Sequence, residues 1–435
     1  MSFVESIARK RDGLTLDREE IAEFVRGAAE GTLPPEQLAA MLMAITCRGM
    51  TPRETADLTQ EMLLSGDRWE LASLRPEAVD KHSTGGVGDT VSLILAPLLA
   101  AAGVPVAMMA GRGLGHSQGT VDKLEAIPEF ECGTERDWLL AALDWCGAAI
   151  SRQSERIAPA DRTLYALRDV TATVPSLPLI VGSIMSKKLA LGAGTLVLDV
   201  KCGAGAFRKT LEDAVELAVA LRGVARDAGV ACAALITAME EPLGPMLGTA
   251  CEVREALAVL EGGGDHRLLE VTLALSEEAM VLRGHDRAAA RRTLEARLAD
   301  GSARERWDLM VRAHGGDPDP SLLARPEAVH EVTAETAGWV RAVDGEALGW
   351  IAVEIGAGRR RRGEPLAHGA GVEVLARIGD RVERGDPLGR LLVGTRPADV
   401  DALAARMRTA FALGDEPVAA PPLLLGPPEA ARGDA

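Results

Sequence analysis

From about residue 80 onward, helical runs alternate with short apolar strands, VPVAMM (104–109), LVLDV (196–200) and AALIT (233–237). That alternation restricts the chain to an α/β lobe with a largely parallel sheet, because parallel neighbours need a crossover segment between them. Two glycine- and hydroxyl-rich segments stand beside these strands, DKHSTGGVGDTVS (80–92) and AGRGLGHSQGTVDKLE (110–125). Turns of this composition next to strands are where phosphates bind.

The flanks read differently. The first sixty-odd residues form a helical unit. Asp17 and Glu20 have capping-box spacing, and Ile21, Phe24, Val25 and Ala28 follow on one face before Gly31 ends the helix. Leu38, Met41, Leu42 and Ile45 mark the next helix, and Thr51, Pro52 and Glu54 supply an N-cap, an N1 proline and an N3 acid. Residues 329–395 have short alternating runs and turns such as IGDRVERGDPLG and read as a β-rich lobe. The basic run Arg359–Arg362 reads as a solvated hairpin tip. The Pro- and Ala-rich residues 415–435 read as poorly ordered.

Composition excludes some partners. Aromatics are 3% of the 435 residues and the formal charge is −16, so a nucleic-acid polymer, which needs stacking surfaces and cations, is not expected. A small anion must be captured locally, against the global field. The six cysteines show no CxxC pair and read as buried free thiols in a reducing compartment. No secretory signal and no apolar stretch of membrane-spanning length is visible, so a cytoplasmic protein without a membrane partner is expected.

The glycine segments carry chemistry. Gly85, Gly86 and Gly88 allow tight turns that aim N–H groups at an anion. Ser83 and Ser92 add hydroxyls, Lys81 a full positive charge and His82 a titratable donor. In the second segment Ser117 and Thr120 can donate, while Arg112 and His116 are read as structural, through buried pairing with Asp122 or Glu125. A third segment, LYALRDVTATVPSLPLIVGSIMSKKLA (164–190), sets Arg168, Ser183 and Lys187 among apolar residues. Ser183 and Lys187 share a helical face, and two cations plus a hydroxyl suit a planar heterocycle rich in carbonyl acceptors. Lys188 reads as surface charge.

In order along nearly the whole chain, DKHSTGGVGD, GRGLGH, PADRTLYALRDVTATVPSLPLI, SIMSKKLA, VLDVKCGAGAF and EPLGPMLGTACEV resemble the thymidine phosphorylase and pyrimidine-nucleoside phosphorylase family. The resemblance implies an α/β fold: a small all-helical lobe, a large α/β lobe with a mostly parallel sheet and a C-terminal β-rich (α+β) subdomain. The expected boundaries are 1–66, completed by about 160–190, for the helical lobe; 75–155 and 191–330 for the α/β lobe; and 331–435 for the subdomain. It implies a homodimer whose lobes close over substrate, and reversible phosphorolysis of thymidine or deoxyuridine, with uridine a further candidate, to free base and pentose 1-phosphate. Inorganic phosphate is then the co-substrate, with no organic cofactor.

By position, the resemblance gives Lys81, Ser83, Ser92 and Thr120 to phosphate and Arg168, Ser183 and Lys187 to the base, with His82 near its O2. His82, Arg168 and Lys187 become the catalytic set. Leu114, Tyr165, Val174, Ile180 and Phe207 would wall the pocket. A monovalent cation such as K+ would sit on Gly88, Thr90, Leu243, Met246 and Glu255, mostly through backbone carbonyls.

Four positions depart from the family pattern. Ala110 stands where a phosphate-binding serine is usual, Ser117 for a threonine, Gln118 for a glycine, and Arg152 for the glycine before Gln153. Losing one hydroxyl bond to a charged group costs about 1.5–3 kcal/mol. Met108, which offers no bond to a 2′-hydroxyl, favours deoxyribose or belongs to the core. The departures leave two alternatives to the leading reading: a diverged member using a modified nucleoside or a nucleotide, and a catalytically silent binding protein.

Overall fold

A computed structural model describes residues 2–113, 115–361 and 363–426, and the chain divides into two compact units. The first comprises Met1–Asp80, Gln153–Leu196 and Glu216–Cys232. Its helices include Phe3–Arg11, Arg18–Glu30, Pro35–Arg48, Pro52–Leu64, Pro159–Val170 and Leu177–Leu191. The expected caps are present. Asp17 accepts from the Glu20 N–H while Glu20 reaches back, Gly31 ends the helix at φ 70°, and Thr51 and Glu54 repeat the reciprocal cap. The apolar faces meet in one core that includes Ile21, Phe24, Met41, Ile45, Leu58 and Leu164. Gly182 lets Leu177–Leu191 lie close to Pro52–Leu64: a Cβ there would be 3.2 Å from Met62 Sδ.

The second unit comprises Lys81–Arg152, Val197–Val215 and Ala233–Ala435. The five-stranded sheet uses β1 (Val79–Ser83), β2 (Val106–Ala110), β3 (Ala148–Arg152), β4 (Thr195–Cys202) and β5 (Ala231–Ala238), in the order β3-β2-β1-β4-β5. Of the strands expected from sequence, 196–200 and 233–237 fall within β4 and β5, while 104–109 starts two residues before β2 and stops one short of its end; β2 and β3 pair in parallel with Ala110 level with Arg152. The strand order reverses between β1 and β4. In open α/β sheets a ligand crevice opens outside the strand ends at such a switch. Lys81–Ser83 close β1 there, and Lys201 and Cys202 close β4.

The C-terminal part has a three-stranded antiparallel sheet and three strands of a four-stranded one, completed by Met246–Gly248, with helices Gly345–Ile355 and Val400–Thr409, packed around Val332, Val340, Ile351, Leu391 and Met407. The expected fold class is the observed one.

Four expectations need correction. Arg359 is not in a solvated hairpin. It lies in the loop after Gly345–Ile355, its side chain 11% exposed and paired with Asp122, because a distant carboxylate needs a counter-ion; Arg362 lies outside the described residues. The tail is not loose throughout. Ala238 N–H donates to Leu423 O (2.9 Å) and Leu425 N–H to Ile236 O (3.0 Å), pairing with the last three residues of β5; residues 427–435 lie outside the described residues. Lys188 is not surface charge but forms a buried pair with Asp80 (2.9 Å). The thiols are all free, yet Cys47 is exposed and Cys232 only half-buried. Among the described residues no helix is long and apolar enough to cross a membrane.

Candidate active site

The glycine-rich turn after β1 rests on a buried lattice of charge. Lys81 Nζ lies 3.3 Å from Asp199 Oδ2, with both side chains fully buried, and donates to Ser92 Oγ (3.2 Å). Lys201 Nζ sits 2.8 Å from the same Asp199 oxygen and 3.8 Å from Asp89 Oδ2. Asp89 takes a bond from Ser83 Oγ (2.7 Å), and Ser83 Oγ accepts from Gly85 N–H (3.2 Å). Lys123 donates to the Asp89 carbonyl (2.6 Å) and pairs with buried Glu252. Burial pushes the Asp89 carboxyl up, but Lys201, Lys81, Lys123 and the Ser83 hydroxyl outweigh it and hold the group well below the usual carboxylate range. Lys81, Ser83 and Ser92 are thus brought together. His82 is half-buried on the same strand, and Thr120 is half-buried at the start of Thr120–Leu124.

The positions expected around a cation also converge. Thr90 Oγ1 donates to Glu255 Oε2 (2.8 Å), Met246 N–H donates to Glu255 Oε1 (3.2 Å), and Leu243 N–H donates to Val87 O (3.2 Å). A Cβ on Gly88 would meet the carbonyl oxygens of Gly244 at 2.9 Å and Met246 at 3.3 Å. Burial, with Glu252 nearby, pushes the Glu255 carboxyl up to about 8.

In the first unit, Lys187 Nζ donates to Ser183 Oγ (2.9 Å), the shared helical face read from their spacing, and pairs with the buried Asp161 carboxylate. Arg168 is buried. Its guanidinium donates to the carbonyls of Leu179 (3.0 Å) and Val174 (2.7 Å) and lies 5.3 Å from the Tyr165 ring centre. Burial lowers its basicity below that of an ordinary arginine.

Of the other expected residues, Arg112 pairs with Glu125 (2.6 Å), but its side chain is 45% exposed, so the pair lies at the surface and is not the buried one expected. Among the described residues His116 forms no ion pair with a carboxylate. It is buried against Phe207 (5.4 Å) and Trp350 (6.3 Å), and burial lowers its pKa. Phe207 is 49% exposed, Val174 and Ile180 are half-buried, and Leu114 lies outside the described residues. Met108 is buried in β2.

Sequence reasoning missed Asp161, Asp199, Lys201, Asp89, Lys123 and Glu252. The available signal was a pair of charges two apart, Asp199 and Lys201, in an otherwise apolar strand, which puts both on one buried face.

Comparison with known proteins fits this geometry. The glycosyl transferase family a/b domain matches residues 75–304, its helical bundle domain residues 4–66, and the pyrimidine nucleoside phosphorylase C-terminal domain residues 339–414. A pyrimidine-nucleoside phosphorylase of Geobacillus stearothermophilus is 41% identical over 98% of this chain and 99% of its own. One of Bacillus subtilis is 43% identical over 92% and 94%. The chain belongs to the pyrimidine-nucleoside phosphorylase family. Anthranilate phosphoribosyltransferase of Thermus thermophilus matches 72% of this chain and 99% of its own with a TM-score of 0.55 at 19% identity, a likeness of fold alone. Membership in the phosphorylase family makes inorganic phosphate a co-substrate and nucleosides the substrate class, and the enzyme a pentosyltransferase.

Proposed function

We propose that this enzyme catalyses reversible phosphorolysis of thymidine and deoxyuridine, and of uridine more slowly, to free base and pentose 1-phosphate. The observation that carries the reading is the Lys187 ammonium, held between Ser183 and Asp161 on the first unit, in a chain whose family-wide similarity spans nearly its full length. Breaking the glycosidic bond builds positive charge on the sugar and negative charge on the leaving base. Lys187 and Arg168 stabilise that negative charge, and His82 donates to the base O2. Lys81, Ser83, Ser92 and Thr120 hold phosphate, whose oxygen forms the new bond to the sugar carbon as the bond to the base nitrogen breaks.

The reading includes a potassium ion on Gly88, Thr90, Leu243, Met246 and Glu255. It would supply fixed positive charge that orders the turn and keeps Glu255 ionised. The reading also includes a homodimer, with the exposed Val4 and Met43 of the N-terminal helices as apolar surface for a second copy. Light scattering at two protein concentrations tests the dimer.

The deciding assay is base release from thymidine, deoxyuridine and uridine with and without phosphate, beside a Lys187→Ala control. Phosphate-dependent release, reduced about 100-fold or more in the control, is expected. Release without phosphate, or none from any of the three, overturns the reading.

A further inference from the structure

Gln118 is only 7% exposed, and neither its Oε1 nor its Nε2 has a hydrogen-bond partner among the described residues. A buried carboxamide with both ends unmet is costly, and native proteins keep such groups where water or a ligand completes them. The surrounding loop fixes where that ligand lies. A Cβ on Gly119 would be 2.2 Å from Gly113 N and 2.6 Å from Gly111 O, and one on Gly113 would be 2.4 Å from Ser117 O. Residues 117–119 are therefore folded tightly onto 111–113, the residues that directly follow Ala110 at the end of β2.

Ala110 supplies only a methyl group where the family pattern has a hydroxyl. The local charge favours an anion. Arg152 is exposed and level with Ala110 on the neighbouring strand. The nearby Asp122 carboxylate is neutralised, accepting from Gly113 N–H (2.6 Å) and Gly119 N–H (3.3 Å) and pairing with Arg359.

We propose that the Gln118 carboxamide is a phosphate ligand, replacing from the loop the hydroxyl that Ala110 lacks on the strand. The amide N–H2 donates to a phosphate oxygen, and the amide oxygen accepts from the P–OH of the monoprotonated ion. Gln118 is thus an affinity-determining residue for the co-substrate. The inference rests on the phosphorolysis reading.

The test is steady-state kinetics in both substrates, with calorimetric titration of inorganic phosphate, on the wild type, Gln118→Met, Gln118→Gly and Ala110→Ser/Gln118→Met. Methionine keeps the length of the side chain without its polar atoms, and glycine removes it, so agreement between them separates loss of the amide from loop repacking. Both single variants are expected to weaken phosphate on the order of 10–150-fold with the nucleoside KM within about twofold, and the double variant to recover most of it. An unchanged phosphate affinity in both variants overturns the proposal, as does a rise confined to the nucleoside KM, which would turn the amide toward the sugar. Failure of the wild type itself to bind or use phosphate overturns the phosphorolysis reading and this inference with it. Phosphate use by the wild type that both single variants match overturns this inference alone.

Discussion

The charges around Lys81 and the trio around Lys187 differ in how much water they see. Lys81, Asp199 and Lys201 have fully buried side chains, both lysines pairing with Asp199, whereas Lys187 keeps 23% of its side chain exposed and relies on one carboxylate and one hydroxyl. A phosphate dianion is strongly hydrated, so a site that takes it must offer cations already stripped of water and held in place. Buried carboxylates supply that hold at a desolvation cost. A neutral heterocycle needs only a few aimed donors, and these can sit on one helix face.

The comparison breaks most sharply at Lys201. Lys201→Met leaves Asp199 and Asp89 short of a counter-charge in the interior. A loss of about 3–5 kcal/mol is expected in denaturant unfolding, partly recovered in Asp199→Asn/Lys201→Met. A loss under 1 kcal/mol would mean the lattice is not held by mutual compensation.

Acid sharpens it next. His314, wedged between Phe130 and Trp138, donates from Nδ1 to Met310 O (2.7 Å) and accepts from Ile150 N–H at Nε2 (3.2 Å), and burial lowers its pKa from 6.5 to about 4. The unfolded chain binds the proton first, so this group's contribution is intact above pH 6.5 and is lost as pH falls toward 4. The loss amounts to ~3 kcal/mol, read as a falling Tm that is flattened in His314→Gln.

The smallest effect belongs to the open side. Asp161→Asn keeps the shape but removes the charge that positions Lys187. An about tenfold lower kcat/KM with little change in phosphate KM is expected, with partial rescue in Asp161→Glu. An unaltered kcat/KM would show that Ser183 alone orients the ammonium.

What the sequence made legible follows from distance along the chain. The Asp17–Glu20 and Thr51–Glu54 caps and the Ser183–Lys187 pair are local, and helical geometry places them without knowledge of the fold. The partners that were missed are remote: Asp161 lies 26 residues from Lys187, Asp80 lies 108 from Lys188, and Asp122 lies 237 from Arg359. No periodicity encodes such pairs, which is why Lys188 and Arg359 read as solvated charge. Gln118 was visible as a departure, but only burial shows that its amide lacks a partner.

The pairing of residues 423–425 with β5 bears on colloidal behaviour. An open outer edge on Ile236–Ala238 would be a row of unmet amides beside apolar side chains, the kind of template on which sheets of separate molecules stack. The C-terminal segment occupies that edge from within the same chain. A chain ending at Gly414 would keep every residue discussed for phosphate and base, yet would carry an adhesive border and precipitate as its concentration rises.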